Sequence, residues 1–456
     1  MTETATLERP GLADLPALLV EQDWECIQAL LADLAEPDIA HALLPGLARA
    51  ERVRLMQLLP PERASSVYAY LDTGLQTELL EDLTDEEKTR LIGELSYDDA
   101  AAILDELPDE HTDSLMEMLP EADQQVLKAL LAFPEHSAGR LMTPEFVALS
   151  PAWTVREALD HVREQAHVGE TLNTLFITDD AGRLLGWISL QDLLLSRPRT
   201  RVEQHYHRDV IRIHTQEDRE EAARLIGHYD LQALPVVDED NILAGIITVD
   251  DVMDVVEKED TEDFHKMGSV GVLNLSVKDA TAGMLYRKRI GWLVILVVVN
   301  IMSGAAIAFF EAAIEKVVAL VFFLPMVIAS GGNAGAQAST LMVRALATGD
   351  VQARDWFRLW GKELVVALGL GTTLGLAVWL IGLWLGGTEV AIAIAISMVL
   401  VVITGSMFGM VLPFILARFR LDPATASAPL VTSVVDVAGI VMYFAVATLV
   451  LRMAGM

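Results

Sequence analysis

The chain has 456 residues and combines 52% hydrophobic residues with a formal net charge of −32. The two properties belong to different parts of the chain. Residues 287–456 contain 8 acidic and 11 basic residues, whereas residues 1–286 contain 57 acidic and 22 basic ones. So acidic a surface excludes nucleic acid and anionic lipid headgroups as its partners, because both attract basic surfaces.

The single cysteine, Cys26, excludes an intrachain disulfide, which is typical of a cytoplasmic protein. The N-terminus carries Glu3, Glu8 and Asp14 in place of the basic region of a signal peptide. We therefore expect no signal peptide.

Leucine recurs every twelve residues from Leu59 to Leu131, and most of these leucines precede residues that start helices, such as Pro60-Pro61 and Thr84-Asp85. Thr84 and Glu87 have the spacing of a capping box. A twelve-residue unit accommodates two helical turns and a corner, so residues 1–137 are predicted to form an acidic, all-α superhelix of short helices. Such arrays usually bind proteins or act as scaffolds.

The next segment is an internal duplication with an offset of 59 residues. Leu175–Asp180 resembles Leu234–Glu239, and Gly186–Asp192 resembles Gly245–Asp251. Helices are expected at 155–167 and 217–228. The pattern resembles a tandem pair of α/β CBS domains, here residues 138–258. That resemblance implies a regulatory module that can bind an adenosine nucleotide such as ATP, with Asp192 and Asp251 at the ribose-binding positions.

A run of carboxylates follows the duplication and includes Asp251, Asp254, Glu259, Glu262 and Asp263. Clustered carboxylates repel one another unless a cation lies among them, and Mg2+ prefers oxygen ligands and retains water. A solvated acidic helix face is the alternative interpretation. Further candidate ligands lie elsewhere in the chain: Asp98, Asp99, Asp218 and Glu220.

Residues 259–286 carry scattered apolar positions and lead into the basic group 287–289, which predicts an amphipathic connecting (plug) helix. Residues 287–456 then contain five stretches long enough to span a bilayer, at roughly 289–310, 317–343, 363–386, 390–416 and 425–451. Basic residues flank alternate ends of these spans. The positive-inside rule therefore places the N-terminal half in the cytoplasm and the C-terminus outside, as expected for a bacterial inner membrane protein.

Polar groups inside the spans are candidates for an ion pathway. Asp436 is the only acidic residue expected deep within a span, and its alternative role is a hydrogen-bonded structural Asp. Ser330–Gln337 contains Gly332, Asn333 and Gln337, and its small residues would also permit close helix packing. Asn333 and Gln337 are four residues apart, on one helix face. A twofold dimer would bring two Asp436 carboxylates together, a charge that matches a divalent ion.

These features resemble the MgtE family of Mg2+ channels and transporters. The resemblance rests on Phe133–Met142, Gly331–Gln337, Asp422-Pro423, and Asp436 followed by Gly439. It implies a homodimer with a pore ion site at Asp436 and Asn333. It also implies that cytosolic Mg2+ closes the pore by binding acidic residues: Asp251, Asp254, Glu259, Glu262 and Asp263, together with Asp218 and Glu220. ATP binding at the CBS pair is a further implication.

Two alternatives remain open from the residues. One is a carrier of another divalent cation, Mn2+ or Co2+, and the other is a membrane-anchored divalent sensor that conducts nothing. The sequence shows neither a Gly-x-x-x-x-Gly-Lys-Ser/Thr motif nor a nucleophile–base pair, so an enzymatic role is not expected.

Overall fold

The computed structural model describes residues 15–21, 23–107, 109–165, 169–273, 277, 280–351, 353–419 and 421–454. The N-terminal acids Glu3, Glu8 and Asp14 lie outside this part. The chain divides into two compact units, Met1–Lys258 and Glu259–Met456.

The first unit begins with a series of short helices, which confirms the predicted helical array. They are α1 (Leu15–Glu21), α2 (Trp24–Asp33), α3 (Glu36–Asp38), α4 (Arg49–Leu58), α5 (Pro61–Ala69), α6 (Thr73–Asp82), α7 (Asp85–Gly93), α8 (Tyr97–Glu106), α9 (Asp109–Met118) and α10 (Glu121–Leu131). The repeated leucines lie where one helix ends and the next begins, and Leu59, Leu83 and Leu107 are buried there. Their side chains form the core that holds the array together.

The capping box at the start of α7 is present. The backbone N–H of Thr84 donates to Glu87 Oε2 at 2.9 Å, and the backbone N–H of Glu87 donates to Thr84 Oγ1 at 3.4 Å. Two backbone donors that the helix itself leaves unpaired are therefore satisfied by side chains.

The duplicated segment forms two matching α/β repeats. The first contains α11 (Ala138–Leu141), β1 (Ala148–Leu149), α12 (Val155–Glu164), β2 (Thr174–Thr178), β3 (Leu184–Ser189) and α13 (Leu190–Leu195); the second contains β4 (Ile213–His214), α14 (Arg219–Tyr229), β5 (Ala233–Val237), β6 (Leu243–Thr248) and α15 (Val249–Met267). Each sheet has three strands, a parallel pair followed by an antiparallel pair. Thr174 pairs with Ser189, and Ala233 pairs with Thr248, in the same register.

The connecting helix differs from its expected range of 259–286. Residues 259–267 are helical because α15 continues through them, but α15 ends at Met267, and residues 268–273, which follow it, are not helical. Ser269 adopts a left-handed conformation with φ of 55°, and the Val270 N–H donates to the His265 carbonyl at 2.9 Å. These contacts close the last helical turn, as a left-handed residue commonly does at a helix C-terminus.

The second unit consists mainly of long apolar helices. They are α16 (Ala282–Phe309), α17 (Glu311–Lys316), α18 (Ala319–Ala347), α19 (Trp356–Leu385), α20 (Gly387–Arg418) and α21 (Ala428–Met453). All except α17 are long and apolar enough to cross a membrane, so the described residues contain the five expected spans.

Helices α18 and α20 approach closely because glycines face each other. A Cβ atom at Gly405 would lie 2.2 Å from the Gly331 carbonyl oxygen, and one at Gly409 would lie 1.9 Å from the Gly335 carbonyl oxygen. No side chain fits at either position, which is how small residues bring membrane helices together. Two glycines of the Ser330–Gln337 segment therefore serve packing.

Candidate functional site

Asp436 lies in α21, in the membrane unit, and faces α18. Its Oδ1 atom is buried and has no hydrogen-bond partner among the described residues. A Cβ atom placed on Gly332 would lie 3.5 Å from this oxygen and 2.8 Å from Thr432 Cγ2. Gly332 thus lets α18 pack closely against Thr432 and Asp436, and a buried charge without a partner is costly unless a cation or water compensates it.

Asn333 and Gln337 lie on the other side of α18 from its packed glycines. Both residues are exposed, whereas Gly331 and Gly335 are buried against α20. One segment of α18 therefore has two roles, a close-packed glycine face and a polar amide face.

Glu363 is an acid in a candidate membrane-spanning helix, and the sequence did not point to it. Asp436 was predicted to be the only acid deep within a span, and the third span was expected at roughly 363–386, with Glu363 as its first residue. Helix α19 begins at Trp356, so Glu363 lies about two turns inside it. Its Oε1 accepts a hydrogen bond from the hydroxyl of Ser406 on α20, and Ser406 is buried. Glu363 is thus paired, unlike Asp436 Oδ1.

In the first unit, Asp98 and Asp251 are brought together at the starts of α8 and α15. Asp98 is only 8% exposed, and its Oδ1 has no hydrogen-bond partner among the described residues. Asp251 Oδ2 accepts hydrogen bonds from the Thr248 N–H at 3.0 Å and the Thr248 hydroxyl at 2.6 Å. Burial, and then nearby negative charge, raises the pKa of both carboxyls: from Asp99 for Asp98, and from Asp98 for Asp251.

Other acids of the same unit add to this negative region. Partial burial raises the pKa of Asp99, and the charges of Asp254 and Asp250 raise it further. Partial burial likewise raises the pKa of Asp254. The predicted residues Asp98, Asp99, Asp251 and Asp254 therefore share one electrostatic environment.

Glu145 and Glu170 also belong to this region, although the sequence did not point to them. The Glu170 N–H donates to the Glu145 carbonyl at 2.9 Å. Partial burial and the charges of Asp251 and Glu145 raise the pKa of Glu170 to about 7. Each is a solitary acid in a loop, so only the fold places them beside the acidic helix starts.

Asp218 and Glu220 have a local role in the structure. Asp218 caps α14 by accepting the Glu220 N–H at 2.9 Å. Asp218 also pairs with Ser137 in an isolated backbone bridge. The structure thus explains Asp218 as a helix cap. Within the part of the chain that is described, no three Asp, Glu, His or Cys side chains are grouped closely enough to hold one metal ion.

In the second unit, Glu262 and Asp263 lie near Asp422, at the end of α15. Lys266 Nζ lies 2.5 Å from Asp422 Oδ2 and also pairs with Glu262. Burial, and then the charge of Asp422, raises the pKa of Asp263 to about 6, and Glu259 contributes further. The sequence pointed to Asp422 only as part of a motif, and the structure adds it to Glu259, Glu262 and Asp263.

Asp192 occupies the position of Asp251 in the first repeat. Its Oδ2 accepts the Ser189 hydroxyl at 2.7 Å, and its N–H donates to Ser189 Oγ at 3.0 Å. Each aspartate therefore bonds the residue three positions before it, Ser189 for Asp192 and Thr248 for Asp251, at the start of the helix that follows the last strand of its repeat. Their nucleotide-binding role stays a prediction.

An acidic helical array, two matching α/β repeats and five apolar helices, one of which carries a buried carboxylate oxygen without a partner among the described residues, define a multidomain membrane protein. Three family models match the chain: a divalent cation transporter domain, MgtE, at 324–446; the MgtE intracellular N domain at 34–136; and CBS domains at 138–198 and 202–258. The chain belongs to the MgtE family of divalent cation transporters.

Similar proteins support this assignment over nearly the whole length. The magnesium transporter MgtE of Thermus thermophilus is 38% identical, over 98% of this chain and 100% of that protein. Its counterpart in Bacillus subtilis is 34% identical, over 72% of each chain. The structure of the cytosolic domain of the Mg2+ channel MgtE in complex with ATP matches with 36% identity and a TM-score of 0.52, over 53% of this chain and 99% of that one.

Proposed function

We propose that this chain mediates Mg2+ uptake down the electrochemical gradient, as a homodimeric channel or transporter in the bacterial inner membrane. Its N-terminus lies in the cytoplasm and its C-terminus lies outside. The pore ion site is formed by Asp436, with Asn333, Gln337 and the backbone of Gly332 nearby. Two relatives named as magnesium transporters support Mg2+ as the ion.

The unpartnered carboxylate oxygen of Asp436 carries this proposal. A charge at this depth needs a compensating partner, and no hydrogen-bond donor within the described residues reaches Oδ1. A cation in transit supplies the missing charge. Mg2+ prefers oxygen ligands and dehydrates reluctantly, so a carboxylate that holds it directly or through its water suits this ion. Two protomers would contribute a charge of −2, which balances one Mg2+.

Cytosolic Mg2+ closes the pore by binding the acidic residues around α15. The candidates are Asp98, Asp99, Asp251 and Asp254 in one unit and Glu259, Glu262 and Asp263 in the other, with Asp218 and Glu220 as further candidates. The donor chemistry fits, since all are carboxylates and Asp98 keeps a buried oxygen without a partner among the described residues. Since no three such side chains are grouped closely enough for one ion in the described part of the chain, we expect the ion to be held partly through its own water.

The gate works as a population shift, because Mg2+ binds the closed state more tightly than the open state. When the ion is scarce, the carboxylates repel one another and favour a state in which the segments that carry them are further apart. In that state the pore is open. Influx then follows the membrane potential, which favours a divalent cation by about 4.6 kcal/mol per 100 mV, twice the value for a single charge.

ATP is proposed as an accessory ligand of the CBS pair, at Asp192 and Asp251. The support is the match to a relative's cytosolic domain in complex with ATP. Both aspartates lie in the first turn of a helix that already forms, so a nucleotide would bind to preformed helix starts.

The test is ion flux into liposomes that contain the purified full-length protein, with Mg2+ varied on the cytoplasmic face. We expect Mg2+ uptake that decreases as cytoplasmic Mg2+ rises and is lost in Asp436→Ala. Glu389→Gln, an acid at the start of α20, is the control and should conduct. Competition by Mn2+ and Co2+ measures selectivity. Absence of any divalent flux from folded protein would overturn the proposal in favour of a non-conducting sensor.

A further inference from the structure

Lys266 places an ammonium group among carboxylates that are proposed to bind the regulatory cation. Its Nζ lies 2.5 Å from Asp422 Oδ2 and pairs with Glu262 four residues earlier on the same helix. The Lys266 side chain is 28% exposed, so this is a partly buried pair. It joins α15 to the segment before α21.

The end of α15 and the segment that carries Asp422 are held together by contacts other than the Lys266 pair. Two residues after Met267, the Ser269 and Ser427 hydroxyl oxygens lie 2.7 Å apart, and both residues are buried. Met267 itself packs against the buried cluster of Val343, Ala424 and Ala426. Lys266 is therefore anchored next to Asp422 by contacts that do not involve its own charge.

The side chains around Lys266 carry a net negative charge that one divalent ion would balance, although they already include one cation, the lysine itself. Glu262, Asp263 and Asp422 contribute three negative charges, and Lys266 contributes one positive charge. A lysine ammonium is a compact point charge with three donors, and it engages the same carboxylate oxygens that a metal ion would use. Because it is tethered, it returns to these oxygens whenever they are free.

We infer that the Lys266 ammonium is an internal competitor of the regulatory divalent cation. It holds the Glu262 and Asp422 carboxylates when the cation is scarce, and it must leave them before the cation can bind there. Lys266 thereby raises the Mg2+ concentration at which this site fills. The inference rests on the proposed function only in assuming that Mg2+ binds these acids; it does not require that binding closes the pore.

The opposite role for Lys266 predicts the opposite sign. If the ammonium acted only as a staple between α15 and Asp422, removing it would loosen the site, and more Mg2+ would be needed to order it. If it competes, removing it frees two carboxylates and raises the local negative charge, so less Mg2+ is needed.

The experiment measures hydrogen–deuterium exchange of residues 259–267 in the full-length protein as Mg2+ is titrated. Lys266→Met should lower the half-saturating Mg2+ concentration by about threefold to tenfold, the range expected for one partly screened charge. Lys266→Gln keeps the polar side chain without the charge and should show the same direction. Lys266→Arg keeps the charge and should stay within about twofold of the wild type.

Arg344→Gln is the matched control, because it also removes a positive charge beside α15. The Arg344 guanidinium, on α18, is largely exposed and lies 3.9 Å from the carboxylate of Asp260 on α15. This substitution should leave the titration unchanged. An unchanged or higher half-saturating concentration in both Lys266→Met and Lys266→Gln would overturn the inference. Flux measured on the same samples separates the two proposals. If the exchange titration shifts while flux does not depend on cytoplasmic Mg2+, the proposed gating is wrong and the competition by Lys266 still holds.

Discussion

Asp98 and Asp436 each have a buried Oδ1 atom that no hydrogen-bond donor reaches within the described residues, yet their surroundings differ. Asp98 lies among other carboxylates of the first unit, and the charges of Asp99 and Glu170 act on it. Asp436 lies beside Thr432 and Gly332, two uncharged residues of the membrane unit. Among the described residues of a single chain, one carboxylate is crowded by like charges and the other is solitary.

This difference indicates two uses of a cation. Crowded carboxylates share the binding of an ion, so the loss of one member is partly covered by the others. A solitary carboxylate has no substitute, so its loss removes the whole interaction. Substitutions at the two places should therefore differ in size and also in their effect on stability.

The largest effect is expected for Asp436→Asn, which keeps the shape of the side chain and removes its charge. Mg2+ flux should fall by at least about 100-fold, because an intramembrane charge is what compensates the ion there. The variant should also unfold at a higher temperature than the wild type, since a buried unpartnered charge is removed. Flux assays in liposomes and thermal unfolding in detergent check both parts. Retention of a third of the wild-type flux would contradict the solitary role of Asp436.

A smaller effect is expected for Gly332→Ala, which adds a methyl group beside Asp436. The new Cβ would lie 2.8 Å from Thr432 Cγ2, so Thr432 or its helix must shift. We expect flux to fall about tenfold, because small displacements of a positioned group are costly. The double variant Gly332→Ala/Thr432→Ser removes the clashing methyl group and should recover most of the flux. If the double variant stays as impaired as the single one, crowding by Thr432 is not the cause.

Asp98→Asn tests the crowded carboxylates and should have a milder result. The Mg2+ concentration that halves the flux should rise about threefold, while flux in the absence of cytoplasmic Mg2+ stays at the wild-type level. Asp251→Asn in the same background should add less than its single effect, because the two residues face each other. A Mg2+ response as steep and as sensitive as that of the wild type would exclude Asp98 from the sensor.

The sequence predicted the architecture well because its patterns are periodic. The twelve-residue leucine spacing predicted the short helices, and the 59-residue offset reappears in the strand pairings Thr174–Ser189 and Ala233–Thr248. The five spans were also correct, since long apolar stretches need no tertiary information.

The rest depends on tertiary structure or on an unusual backbone. The end of α15 at Met267 was not predicted, because a left-handed residue at a helix end is normally glycine, and here it is Ser269. Glu145 and Glu170 are solitary acids in the sequence, and only the fold brings them together. Lys266 pairs with Asp422, which is more than 150 residues away in the chain. Glu363 was not singled out because it was expected at the first residue of the third span, whereas α19 already begins at Trp356.

The smallest expected effect is the pH dependence of stability, and its sign follows from the raised pKa values. A carboxyl whose pKa is higher in the folded state binds its proton more tightly there, so stability increases as pH falls through the folded pKa. Glu170, with a pKa raised to about 7, and Asp98 and Asp251, whose pKa values are also raised, place this gain below about pH 8. Without Mg2+, the unfolding temperature should therefore rise by about 2–4 °C between pH 8 and pH 6.

Mg2+ should stabilise the folded protein in place of the protons, because it also neutralises the crowded carboxylates. Adding it at pH 8 should raise the unfolding temperature more than adding it at pH 6, because at pH 6 protons already neutralise part of the negative region. Glu170→Gln should flatten the pH dependence in Mg2+-free buffer, whereas Glu389→Gln should leave it unchanged. An unfolding temperature that decreases as the pH is lowered without Mg2+ would mean that the crowded carboxylates are stabilised as anions by the fold. The contrast between Asp98 and Asp436 would then be one of position and not of charge.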